Sequence, residues 1–120
     1  MESGATSAQV FSFRLDPAGK ELVVFLKCTG IATGSYSFRF EFPGKTTQTK
    51  EGDIEIPEKH RFSANEGLSK ILVKVKSVPF LASDPGGYQV AVEQVEGKRF
   101  ETPPLGYSSQ AEILIETDTT

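Results

Sequence analysis

His60 is the only histidine in the chain, and Glu58, Lys59 and Arg61 flank it. An imidazole moves protons near neutral pH more readily than any other side chain. To work as a base it needs a nucleophile within reach and a third group to orient it. The single cysteine, Cys28, is far away in sequence and shares a face with Leu22, Val24 and Leu26. That pattern makes it a buried thiol acting as a small hydrophobe. A reactive thiol needs exposure and a nearby cation, and the adjacent Lys27 points the other way. No Ser-His-Asp or Cys-His arrangement can be built at these spacings, and the charged neighbours of His60 make it an exposed loop residue. The expected catalytic set is empty.

Other residues invite binding chemistry. Gly44-Lys45-Thr46 looks like the end of a phosphate loop, but the motif wants a further glycine where Arg39 stands, and no helix pattern follows. Nucleotide binding is therefore rejected. Asp16, Asp53, Asp84 and Asp118 lie singly in or near loops, without the clustered carboxylates that hold calcium. Turn formation explains Asp16 and Asp84. No metal or cofactor is expected. Tyr107, in Pro103-Pro104-Leu105-Gly106-Tyr107, is the best exposed aromatic for a carbohydrate or small ligand, and packing of its own loop is its ordinary role. Lys70, Lys74 and Lys76 form a basic stripe, with Glu93, Glu112 and Glu116 as acidic counterparts. Solvated outer faces account for both.

The elements that position these residues are strands. Tyr36, Phe38, Phe40 and Phe42 alternate with Ser37, Arg39 and Glu41, which is the period of a half-buried strand. Phe11, Phe13 and Leu15 alternate over Gln9–Leu15. Leu22, Val24, Leu26 and Cys28 share one face of the segment from Lys20 to Thr29, while Val23 and Phe25 make it apolar on both faces. Ile54 and Ile56, closed by Pro57, mark a short fourth strand. Lys45 to Gly52 reads as a polar loop or poor edge strand, and Glu58 to Gly67 as the place for a single helical turn. Strands follow over Leu68–Val78, Tyr88–Val95 and Ala111–Thr117. Gly/Pro turns separate them, and proline at 103 and 104 interrupts pairing. Residues 1–8 are small and polar and read as a flexible arm, 9–117 as one domain and 118–120 as a tail.

Pro85-Gly86-Gly87-Tyr88-Gln89-Val90-Ala91-Val92, followed by Glu96-Gly97-Lys98, resembles the sixth strand of immunoglobulin-like and fibronectin type III-like domains. The resemblance implies that Tyr88 is a tyrosine-corner residue whose hydroxyl caps backbone near the preceding corner. The chain lacks the cysteine pair and the tryptophan of those families. The expected fold is all-β, a seven-stranded antiparallel two-sheet sandwich, immunoglobulin-like in order.

That order makes strands one, two and five neighbours, so Val10, Val23, Phe25 and Leu72 would form one apolar patch on an outer face. Such a patch often marks an interaction site. The chain has 120 residues and a net charge of -3, with no long basic run. Nucleic acid is a poor partner for it. No apolar stretch approaches the roughly 20 residues of a membrane helix. One cysteine and no secretory leader at Met1–Ala8 favour the cytoplasm. The expected function is a non-catalytic protein-protein interaction module, bound to another protein or to itself. The alternatives are a structural subunit of a virus-like or appendage assembly, and a loop-based carbohydrate or small-ligand binder.

Overall fold

The computed structural model describes residues 9–15, 21–29, 32–63, 67–79, 87–106 and 110–117. Nine strands run through them: β1 (Gln9–Leu15), β2 (Glu21–Thr29), β3 (Ala32–Glu41), β4 (Gln48–Asp53), β5 (His60–Ser63), β6 (Lys70–Pro79), β7 (Gly87–Gln94), β8 (Arg99–Glu101) and β9 (Gln110–Thr117). They form a five-stranded sheet, ordered β1-β9-β6-β3-β4, and a four-stranded sheet, ordered β5-β2-β7-β8. The two pack into a β-sandwich. No helix of the described residues is long and apolar enough to cross a membrane.

The alternation explains the packing. Phe13 of β1, Leu22, Val24 and Leu26 of β2, Tyr36, Phe38 and Phe40 of β3, Ile71, Val73 and Val75 of β6, and Val90 and Val92 of β7 all enter one core. Ala111, Ile113 and Ile115 of β9 join them. Phe100 of β8 closes one flank against Phe11 and Phe13, with ring centroids 6.0 and 6.2 Å apart. Phe62 of β5 closes the other against Phe40, at 4.5 Å.

The fold departs from the expected order in several ways. The described residues carry nine strands, not seven, and β1 runs parallel to β9. The strand carrying Tyr88 lies beside β2, whereas its immunoglobulin counterpart lies in the sheet of the last strand. Tyr88 itself is buried, and burial pushes its phenol up to about 12. The corner before it, residues 80–86, lies outside the described residues, as do the arm at 1–8 and the tail at 118–120.

The segment at Ile54 and Ile56 is a turn, and the strand precedes it as β4. The Asp53 carboxylate accepts the Glu55 N–H at 2.8 Å, and the Asp53 carbonyl accepts the Ile56 N–H at 3.2 Å. This closes the turn that ends the ladder. Ile54 then plugs the core while Ile56 is 72 % exposed. In place of a helical turn, the stretch from Glu58 carries β5, whose His60 and Phe62 face inward. At Pro103-Pro104 pairing is interrupted, as expected, but the sheet does not end there. Thr102 substitutes its side chain: its hydroxyl accepts the Val90 N–H at 3.0 Å, and its N–H donates to the Val90 carbonyl at 3.0 Å. Leu105 then resumes pairing with Tyr88.

Phe40→Ala is expected to cost about 3–5 kcal/mol through the cavity it leaves. Arg39→Ala, on the opposite face of β3, is expected to cost less than about 0.5 kcal/mol. Urea unfolding of both variants measures this, and equal costs would mean that the faces of β3 are assigned the wrong way round.

Candidate interaction surface

Two outer faces are available, and their chemistry differs. On the four-stranded sheet, Val23 and Phe25 of β2 point away from the core, between β5 and β7. Val23 stands opposite Arg61 and Glu93, and Phe25 opposite Ala91. Charged side chains roof this strip. Arg61 pairs with Glu21 at 3.2 Å, Lys27 pairs with Glu101 at 3.1 Å, and Arg99 bridges Glu93 and Glu101. Lys59 Nζ sits 5.0 Å from the centre of the Phe25 ring. Long stems of this kind cover apolar surface while their heads stay in water. Val23 is consequently only 5 % exposed although it lies outside the core cluster.

Val10 and Leu72 lie on the other sheet. Val10 is 58 % exposed on β1, and Leu72 is half-buried on β6. Both stand opposite Glu112 of β9, which separates them. The four residues expected to make one patch are therefore divided between the two outer faces of the sandwich. The reason is topological: β2 is hydrogen-bonded to β5 and β7, not to β1 or β6. Alternation identifies which residues share a face of one strand, and it carries no information on which sheet receives that strand.

The outer face of the five-stranded sheet is built in rows. One row runs Val10, Glu112, Leu72, Arg39 and Thr49 across all of its strands. The next runs Gln110, Lys74, Ser37 and Glu51, and a third runs Lys76, Ser35 and Asp53. Ser35 and Ser37 are short, so the surface dips over them. A depression of about 340 Å³ lies among Ser37, Arg39, Leu72, Lys74 and Glu112, and one of about 320 Å³ among Ser35, Ser37, Glu51, Lys74 and Lys76. They share Ser37 and Lys74 and so form a single trough across β6 and β3. Arg39 lies 3.7 Å from Glu41, and Lys70 lies 3.9 Å from Glu112. Lys74 and Lys76 make no ion pair among the described residues, because the residues opposite them on β3 are serines.

His60 is not the exposed loop residue its neighbours suggest. It is half-buried on β5, and its ring lies 5.3, 5.8 and 6.2 Å from those of Phe38, Phe40 and Tyr36. Its Nε2 is buried and has no hydrogen-bond partner among the described residues. The alternation of His60 and Phe62 with Arg61 and Ser63 was the available signal, hidden by the charges around it. His60 stands opposite Val24 and Cys28 opposite Tyr88, four residues further along β2. At about 3.3 Å per residue the two are too far apart for a Cys-His dyad.

The remaining candidates are ordinary. Gly44, with φ of +74°, sits in the turn that joins β3 to β4, where the Lys45 N–H donates to the Phe42 carbonyl at 3.0 Å. Asp53 closes a turn, as above. Tyr107, Asp16, Asp84 and Asp118 lie outside the described residues. Among the described residues no group of three or more His, Cys, Asp or Glu side chains could hold a metal ion. Family models, curated proteins and solved structures were compared with the chain, and none matches it.

The half-buried imidazole makes a pH prediction. Desolvation lowers the His60 pKa from its ordinary 6.5; Glu58 opposes that shift and Lys50 adds to it. The unfolded chain thus binds more protons than the folded one just below that value. Stability is full above about pH 6.5 and falls as the pH drops from there. Glu101, held below its usual 4.5 first by Arg99 and then by Lys27, adds its own loss only further into acid. His60→Leu is expected to flatten the upper part of this decline, read as urea midpoints against pH. Parallel curves for the variant and the parent would show that His60 does not carry the slope.

Proposed function

We propose that the chain is a non-catalytic protein-interaction module that takes an extended, carboxylate-bearing segment of a partner protein into the trough on its five-stranded sheet. The observation that carries this reading is the pair Lys74 and Lys76, unpaired among the described residues and facing serines at the centre of a sheet. A carboxylate directly across the ladder from a lysine stabilises the pair. Here that position is left to hydroxyls, which donate and accept hydrogen bonds without neutralising the ammonium groups. A partner carboxylate would complete the pair. Thr49 and Gln110 border the same depression and supply further polar contacts along an extended chain.

Among the described residues His60 and Cys28 do not stand together, which supports a binding role over an enzymatic one. A chain with a single cysteine can form no internal disulfide, which supports a reducing compartment such as the cytoplasm. The reading needs no immunoglobulin-like relationship, because a sandwich face of any strand order would serve.

A titration with short acidic peptides and their amidated Gln/Asn counterparts tests it. Binding is expected for the acidic peptides alone, and it should weaken as salt is raised. The double variant Lys74→Glu, Lys76→Glu is expected to lose that binding while its urea midpoint stays close to the parent's. Lys98→Glu, outside the trough, should leave it intact. Equal binding of acidic and neutral peptides, or binding untouched by the double variant, would remove the proposal.

A further inference from the structure

We infer that β1 is a self-association edge, which pairs two copies of this chain about a two-fold axis through Ser12. The inference is independent of the trough and rests on the sheet edges.

Among the described residues the sandwich has four edge strands: β1 and β4 on one sheet, β5 and β8 on the other. β5 has four residues and β8 has three, so neither offers much backbone to a partner. β4 has six, and it is guarded against its own copy. Antiparallel pairing that keeps core faces on one side must match residues of like parity, because side chains alternate across the sheet. The two longest such registers for β4 put Lys50 opposite Lys50, or Glu51 opposite Glu51. Like charges directly opposite each other destabilise a ladder. Edges are commonly protected in this way.

β1 carries no such guard. Among the described residues its seven, Gln9–Leu15, pair with β9 alone. One antiparallel register uses all seven. It places Gln9 opposite Leu15, Val10 opposite Arg14, Phe11 opposite Phe13, and Ser12 opposite itself. That register also keeps the core faces together, since Phe11, Phe13 and Leu15 are the core-facing set. No like charges meet. Phe11 and Phe13 form an aromatic cross-strand pair twice over, continuing the cluster each already makes with Phe100. Val10 of one copy, the large apolar side chain that β1 leaves exposed, lies beside the Arg14 stem of the other, whose guanidinium pairs with Glu116 of its own β9 at 3.6 Å. Two five-stranded sheets become one of ten strands.

Sedimentation velocity over a wide concentration range tests this, and the expected result is a monomer that converts to a dimer. Ser12→Lys brings two ammonium groups together at the axis and is expected to abolish the dimer. Ser12 is exposed on the outer face, so the fold should survive, as circular dichroism would confirm. Ser12→Cys reads the register directly. Residues opposite each other in an antiparallel ladder have Cα atoms about 4.5–5.5 Å apart, within the range a disulfide spans. Oxidation is expected to link the two copies at position 12, as peptide mapping would show, whereas Val10→Cys should not link to itself. A strict monomer at every concentration would overturn the proposal. So would a dimer that persists in Ser12→Lys, or linking at position 10 as readily as at position 12.

Discussion

The aromatic row on β3 is the constraint on which the rest of the structure depends. Tyr36, Phe38, Phe40 and Phe42 place a ring at every second position, and adjacent rings lie 5.4 Å apart from Tyr36 to Phe38 and from Phe38 to Phe40. Burying each side chain contributes about 1.5–3 kcal/mol. A slip of one residue in register would turn the whole row to solvent. The row also holds β5, since Phe62 packs on Phe40 and Phe42 and His60 packs on the three rings before Phe42. Tyr36 reaches further. Its ring fills the space where a Cβ on Gly52 would lie, and its hydroxyl accepts the Glu58 N–H at 3.1 Å, fixing the connection from β4 to β5. The same phase sets the outer face. With the rings inward, Ser35, Ser37 and Arg39 must point outward, so the floor of the trough is the reverse side of the aromatic row.

Much of this was legible because period-two burial is a local signal. β1, β2, β3, β6, β7 and β9 are all marked by alternating apolar side chains. β4 carries no such mark. Its core-facing positions are Gln48, Lys50 and Gly52, all at the open rim of the sandwich, and its pairing with β3 defines it. Ile54 and Ile56 gave a false strand because residues two apart can also straddle a turn, one buried and one in water. His60 was hidden by Glu58, Lys59 and Arg61, although its phase with Phe62 is that of a core residue. The trough was illegible for a different reason. Its lysines and serines come from β6 and β3, separated in the chain by β4 and β5, and only the register makes them opposite.

The contrast between the two outer faces bears on where a partner would settle. On the four-stranded sheet the described cations are already committed: Arg61 to Glu21, Lys27 to Glu101, Arg99 to Glu93 and Glu101, and Lys59 to the Phe25 ring. Exposed pairs of this kind contribute little to stability. They still matter to binding, because a charged partner would have to displace a carboxylate or a cation already in place and would gain only the difference. An apolar partner would have to strip the stems from Val23 and Phe25. On the five-stranded sheet neither obstacle stands over Ser35 and Ser37. Among the described residues Lys74 and Lys76 have no carboxylate to give up there, and the short side chains leave the backbone of β3 accessible between them. A cation with no paired carboxylate need give up no ion pair to receive an incoming anion, and two on neighbouring outward positions of one strand act together within a Debye length, against the opposing charges of Glu51 and Glu112 at the trough's borders. The sheet whose inner face carries the largest aromatic side chains thus presents, through the alternation of β3, the outer face most open to a ligand.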